Sequence, residues 1–153
     1  MLFTIGYEGS DIKTFVAVLK SFDVDTLIDV RDLPLSRKPG FSKKALSLAM
    51  GEAGILYLHN RSLGAPKEIR TALRETGDWD SYRESYHHTL LNNDSQIERI
   101  AESSSYKKVC LMCFENDYRT CHRSLIAERM ETLGYIDRAE HLNPLTEIVD
   151  LVV

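Results

Sequence analysis

The sequence is poor in cysteine, and the few cysteines it has are confined to one short segment. The 153 residues include three of them, Cys110, Cys113 and Cys121. A disulfide-held scaffold needs paired cysteines spread over the chain, and an odd, clustered set is a poor framework of that kind. The cysteines therefore exclude a disulfide scaffold and favour free thiols in a reducing cytoplasm.

Long apolar runs and a strong net charge are also lacking. No run approaches the roughly 18 apolar residues of a membrane-spanning helix, and the start of the chain lacks the basic and apolar regions of a signal peptide. The net charge of -4 argues against a surface that grips nucleic-acid backbones throughout, although it leaves room for a local basic pocket. The length and the 43% of apolar residues fit one globular domain, residues 1–153. We expect a cytoplasmic protein with no membrane partner.

Short apolar runs alternate with amphipathic segments along the chain. The apolar runs predict strands at residues 2–5, 26–30, 55–58, 109–114 and 139–142. Helices are expected between them, started by Ser10-Asp11, by Ser42 and by Thr120, with two or three more between 61 and 105. This alternation predicts an α/β fold, a single-domain three-layer sandwich with a mainly parallel sheet.

Polar side chains lie at or just after the ends of the first four predicted strands. In chain order they are Tyr7 and Glu8, Asp29 and Arg31, His59, and Cys113 and Glu115. Parallel strands end at one edge of a sheet, where open α/β sheets bind their ligands, so we expect these residues to surround one ligand. The alternative for Asp29 and Arg31 is a structural ion pair.

The start of the last large helix is a candidate anion or thiolate site. If Thr120 caps this helix, Cys121 lies in its first turn, where free N–H groups and the helix dipole favour negative charge. Arg123 adds positive charge at the same end. The pattern is equally typical of helices that bind nothing.

Two other interpretations of this segment are disfavoured. A phosphatase-type loop, Cys-x5-Arg, runs from Cys113 to Arg119, but Glu115 and Asp117 within it would repel a phosphate. A metal site would use the Cys-x7-Cys-His pattern that ends at His122, together with His59, and this is not a recognised ligand spacing. Neighbouring Cys121 and His122 would also point in different directions on a helix. We therefore assign no metal, and the sequence indicates no cofactor.

The stretch from 31 to 44 is locally basic and contains Ser36, Arg37 and the aromatic Phe41. Because it leaves the carboxyl end of the second predicted strand, a mobile loop of this kind would cover a phosphate or a base. A solvated surface loop is the alternative.

Six motifs in this order resemble the domain of unknown function 488 family. They are Thr4–Gly9 (TIGYEG), Asp29–Arg31 (DVR), PLSR at 34–37 followed by PGFS, His59 with Leu63-Gly64, CFE at 113–115 and CHR at 121–123. The resemblance implies a single α/β domain and marks Tyr7, Glu8, Asp29, Arg31, Ser36, Arg37, His59, Glu115, Cys121, His122 and Arg123 as signature positions. It implies no reaction, since the family has no established activity.

The leading hypothesis is a small enzyme, a hydrolase or transferase, that acts on an anionic substrate such as a nucleotide, a nucleic-acid base or a phosphorylated metabolite. Its catalytic residues would be Glu8, His59, Glu115, Cys121 and His122, and its substrate-binding residues Tyr7, Asp29, Arg31, Ser36, Arg37 and Arg123. One alternative is a non-catalytic nucleic-acid-binding or regulatory module. A second alternative is a thiol-based redox protein. The sequence leaves the oligomeric state open.

Overall fold

A single parallel sheet organises the chain in the computed structural model, which describes residues 1–147. Within these residues five strands pair in the order β3-β2-β4-β1-β5, and every pair is parallel. The strands are β1 (Leu2–Gly6), β2 (Thr26–Asp29), β3 (Leu56–His59), β4 (Val109–Cys113) and β5 (Glu140–Leu142). The predicted α/β fold with a parallel sheet is therefore confirmed.

Helices cover both faces of this sheet. They are α1 (Ile12–Ser21), α2 (Lys43–Glu52), α3 (Lys67–Thr76), α4 (Trp79–Leu91), α5 (Asp94–Tyr106) and α6 (His122–Thr132), with short 3-10 helices at Arg61–Leu63 and Tyr118–Thr120. None of the helices in the described part of the chain combines the length and apolar character needed to cross a membrane.

The alternation of side chains along the strands sorts the core into two apolar layers. In β4, Cys110 and Met112 join the layer under α1 and α2, whereas Leu111 and Cys113 join the layer under α4, α5 and α6. Both layers are buried, which explains why β4 is apolar throughout. The same alternation directs Cys113, the last residue of the strand, toward α6.

The predicted cap of α6 is wrong by one residue. Thr120 does not cap the helix, because it ends the 3-10 turn and its hydroxyl donates to the carbonyl of Asp117 (3.1 Å). Cys121 takes the N-cap position instead, with an extended backbone (φ -130°, ψ 142°). Cys121 therefore precedes the helical turn, and its side chain does not follow the helical spacing.

Candidate functional site

The strand order brings the polar strand ends together at one edge of the sheet. Strand β4 lies between β1 and β2, with Gly6 in register with Cys113 and Asp29 in register with Met112. The residues that follow these three strands are therefore neighbours. They form two groups. The first is an ion pair at the carboxyl end of β2, and the second is a cluster that contains two sulfurs, between the end of β4 and the start of α6.

The first group is a buried ion pair between Asp29 and Arg31. The Nε and Nη2 atoms of Arg31 donate to the two carboxylate oxygens of Asp29 at 2.9 and 2.7 Å, and the Tyr57 hydroxyl donates to Oδ2 at 2.6 Å. Burial alone would lower the pKa of Arg31, but the hydrogen bonds and charge of Asp29 outweigh it and raise that pKa. Burial and the bond to Asp29 raise the pKa of Tyr57. Arg31 is therefore a charged, buried partner of the Asp29 carboxylate.

Tyr7 completes the ion pair from β1. Its hydroxyl accepts from Nη1 of Arg31 at 3.1 Å, and its ring stacks on Phe41 with the centroids 4.5 Å apart. The guanidinium of Arg31 thus donates to Asp29 and Tyr7, which agrees with the interpretation of Asp29 and Arg31 as a structural ion pair. Phe41 is fully buried in the core, so the expectation that it covers a base is wrong.

Arg123 is a buried cation at the start of α6. Its side chain donates to the Thr4 hydroxyl (3.1 Å), to the sulfur of Cys113 (3.2 Å), and to the backbone carbonyls of Glu115 and, at 3.2 Å, Asn116. Burial lowers its pKa to about 10, so it is still charged at neutral pH. Its guanidinium fixes the loop after β4, and its donors are taken up by protein groups rather than left free for an anion.

The second group, which we call the thiol cluster, consists of Cys113, Glu115, Cys121 and His122. The sulfurs of Cys113 and Cys121 lie within bonding distance and form a disulfide, while Cys110 is free and buried. The expectation of unpaired cysteines is therefore wrong. The loop between Cys113 and Cys121 folds back and brings the two thiols together, a contact that the odd number and the spacing could not reveal.

His122 is held in one orientation against Cys121. Its Nε2 lies 2.7 Å from the carbonyl oxygen of Val30, which only accepts, so the proton is on Nε2 and the lone pair is on Nδ1. Nδ1 lies 3.9 Å from the sulfur of Cys121. Burial lowers the pKa of His122 to about 4, so the ring is neutral. The expectation that Cys121 and His122 point apart is wrong, because Cys121 lies outside the helix.

Glu115 supplies a carboxyl beside the thiols. Its Oε2 lies 3.8 Å from the sulfur of Cys113. Burial raises the pKa of Glu115, and the nearby charge of Glu8 adds to this effect. Glu8 is exposed and accepts from the backbone N–H of Asn116 at 3.2 Å. The cluster thus combines two sulfurs, a neutral imidazole and a carboxyl next to a buried cation.

The remaining predicted residues lie apart from the sulfurs. His59 bonds through Nε2 to the carbonyl of Arg31 (2.8 Å), and Ser36 is paired with Ser42 in the loop after β2. Arg37 is exposed and has neither a hydrogen bond nor an ion pair within the described residues. Arg119 is exposed and paired with the carboxylate of Asp117, so the phosphatase-type loop lacks an unpaired arginine.

Three contributing residues were missed in the sequence. They are Thr4, which accepts from Arg123, Tyr57, which donates to Asp29, and Asn116, whose carbonyl accepts from Arg123. A threonine in an otherwise apolar buried strand is a signal that could have identified Thr4. The other two act through tertiary contacts that leave no local pattern.

An open groove of about 340 Å³ separates α4 from α6, and another of about 690 Å³ lies beside the ends of β2 and β3, where Asp32, Arg61 and Lys67 line it. Arg61 and Arg70 approach the carboxylate of Asp32 at 3.6 and 3.4 Å. The groove beside the ends of β2 and β3 is therefore the larger of these two and lies at the edge of the sheet where the polar residues lie.

Comparison with known proteins gives a family and no further relative. Neither a curated protein nor a solved structure matches the chain. The family model described as domain of unknown function DUF488 matches residues 11–130, more than half of the chain, so the chain belongs to that family.

Proposed function

We propose that the protein is a cytoplasmic thiol-based redox protein whose working group is the Cys113–Cys121 pair. The observation that carries the proposal is the bonding contact between these two sulfurs at the carboxyl end of β4. A pair that forms one disulfide can donate or accept two electrons. A reducing cytoplasm would return the pair to the dithiol, so that the two states interconvert.

The surroundings of Cys113 support this proposal. The guanidinium of Arg123 points one N–H at its sulfur, and a positive charge in that place stabilises a thiolate, the form that reacts. Both cysteines are about 1% exposed. This burial favours a small oxidant, such as a hydroperoxide, over a bulky protein disulfide.

The proposed oxidation has two steps. The thiolate of Cys113 attacks the terminal oxygen of a hydroperoxide, so that an S–O bond forms and the O–O bond breaks, and the leaving alkoxide or hydroxide takes up the proton that the Cys113 thiol had lost. The thiol of Cys121 then attacks the sulfenic sulfur of Cys113, which forms the S–S bond and releases water. The two sulfurs lose two electrons and the peroxide gains them; a small dithiol restores the thiols.

The test uses a Cys110→Ser background, so that only the proposed pair carries thiols. Mass spectrometry after alkylation should show two labelled thiols in the reduced protein and none after hydroperoxide. Peroxide consumption with a dithiol reductant should be lost in Cys113→Ser, and the Cys121→Ser variant should form no disulfide within the chain. A pair that stays reduced under excess hydroperoxide, or consumption unchanged in both serine variants, would overturn the proposal.

The groove beside β2 and β3 supports a second candidate, the enzyme with an anionic substrate. Arg61 and Lys67 line this groove, and the side chain of Arg61 is 71% exposed. An anion bound there would be held by these two residues, beside the carboxylates of Asp32 and Glu68 that also line the groove. Thermal shifts across a panel of nucleotides and phosphorylated metabolites test it: a shift lost in Arg61→Ala but kept in Arg119→Ala supports it, and a flat panel rejects it.

A further inference from the structure

The thiol cluster contains a set of atoms suited to a metal ion. The two sulfurs of Cys113 and Cys121 and a ring nitrogen of His122 all lie within 4.8 Å of one another, and all three residues are buried. Thiolate sulfur and imidazole nitrogen are the ligands that zinc prefers in proteins, at about 2.3 and 2.0–2.1 Å. Three convergent ligands of these types are enough to hold the ion.

The orientation of His122 is that of a metal ligand. A ligating histidine ordinarily donates its other ring N–H to a carboxylate or a backbone carbonyl, which fixes the ring. Here Nε2–H donates to the carbonyl of Val30, and the lone pair on Nδ1 is directed toward the sulfur of Cys121. The hydrogen bond that would orient a ligating ring, from Nε2–H of His122 to the carbonyl of Val30, is therefore already present.

The backbone separation also fits two thiolates on one ion. The Cα atoms of Cys113 and Cys121 are 7.3 Å apart. Two sulfurs on a tetrahedral zinc ion lie about 3.8 Å apart, which follows from a bond length of about 2.3 Å. Two cysteine side chains that start from this backbone separation can place their sulfurs at that distance.

The charges around the cluster are compatible with an ion. Two thiolates neutralise a divalent cation, and the guanidinium of Arg123, which donates to the sulfur of Cys113, favours the thiolate form that the ion requires. Oε2 of Glu115, 3.8 Å from that sulfur, is a further oxygen donor within reach of a fourth position.

From this geometry we infer that the reduced protein binds one zinc-like divalent cation through Cys113, Cys121 and His122. The ion and the disulfide use the same two sulfurs, so each excludes the other: zinc protects the pair from oxidation, and oxidation releases the zinc. The inference does not depend on the proposed redox function, because a pair that is never oxidised in the cell would still bind the ion.

The experiment loads the fully reduced full-length protein with Zn²⁺ or Co²⁺ alone and removes the excess ion. Metal analysis should give one ion per chain, and Co²⁺ should produce a thiolate-to-metal charge-transfer band. Cys113→Ser and Cys121→Ser should each weaken binding at least tenfold, whereas the matched Cys110→Ser variant binds as the parent does. His122→Gln should alter the Co²⁺ spectrum, which a merely structural role of the ring would not do.

The outcomes separate the two proposals. Less than one tenth of an ion per reduced chain, or binding unchanged in both serine variants, overturns the metal site even if the pair oxidises reversibly. Stoichiometric binding to a pair that resists hydroperoxide after the metal is removed supports the metal site and overturns the redox function. Circular dichroism of each variant checks that it is folded, and Cys113→Ala or Cys121→Ala replaces a serine variant that is not.

Discussion

Nη1 of Arg123 lies 3.2 Å from the sulfur of Cys113, which connects the buried cation of α6 to the end of β4. The same guanidinium donates to Thr4 on β1 and to the carbonyls of Glu115 and Asn116. One side chain thus joins two strands, a loop and a helix around the thiol cluster. Arg123 therefore holds the loop after β4 in place beside the sulfurs of Cys113 and Cys121.

Replacing Arg123 with methionine should therefore lower the free energy of unfolding by at least about 3 kcal/mol, because it leaves several buried acceptors unsatisfied. Urea denaturation measures this change. Arg119→Met is the matched control, since Arg119 is exposed and pairs with Asp117; its cost should be within about 1 kcal/mol. Equal effects of the two substitutions would contradict the structural role of Arg123.

Replacing Asp29 with asparagine should cost about 3–5 kcal/mol, because it leaves the buried cation of Arg31 without its partner. Glu128→Gln, which breaks the exposed ion pair with Arg83, should cost less than about 1 kcal/mol. Tyr57→Phe removes one hydrogen bond to Asp29 and should cost about 1 kcal/mol. A loss below 1 kcal/mol for Asp29→Asn would mean that Arg31 finds another partner.

The fold was predictable from the sequence because its signals are local. Apolar runs locate all five strands of the described residues, and their alternation explains the two layers of the core. Polar residues after the strands predicted that these side chains would share one edge of the sheet. Both cues depend on neighbouring residues alone.

The chemistry at that edge was less predictable because it depends on distant contacts. The disulfide and the approach of His122 to Cys121 follow from the 3-10 turn Tyr118–Thr120, which moves Cys121 out of the helix. Arg123 was expected to bind an anion, but its partners include backbone carbonyls, which no sequence motif identifies. The position of Cys121 thus depends on one 3-10 turn, which the sequence motifs did not predict.

The close approach of Gly6 to the loop after β4 gives a prediction on packing. A Cβ at Gly6 would run into the carbonyl group of Glu115 and lie 2.9 Å from the Cα of Asn116, so Gly6→Ala should destabilise by about 2–3 kcal/mol. Gly51 in α2 has open space around it, so Gly51→Ala should stabilise by up to about 1 kcal/mol. Thermal unfolding of both variants checks the opposite signs, and a neutral Gly6→Ala would show that the loop can shift.

A chain of hydrogen bonds makes stability depend on the protonation of His141. Thr4 accepts from Nε of Arg123 (3.1 Å), and its hydroxyl lies 2.6 Å from Nδ1 of His141, which accepts from it when the ring is neutral. Burial, followed by the charge of Arg123, lowers the pKa of His141 from 6.5 to about 4. The folded state therefore binds this proton less readily than the unfolded state.

Because the unfolded chain binds more protons between pH 6.5 and 4, stability should fall as the pH is lowered through this window and be fully present above it. The slope from His141 cannot exceed about 1.4 kcal/mol per pH unit, the value for one proton that the unfolded chain binds and the folded chain does not. Solvent screening of the partly exposed ring should make the effect smaller. His122 titrates in the same window, so the test compares the wild type with His141→Gln by urea denaturation from pH 7 to pH 4. The difference in stability between them should shrink toward pH 4, and a difference that is constant with pH would mean that Thr4 does not depend on a neutral His141.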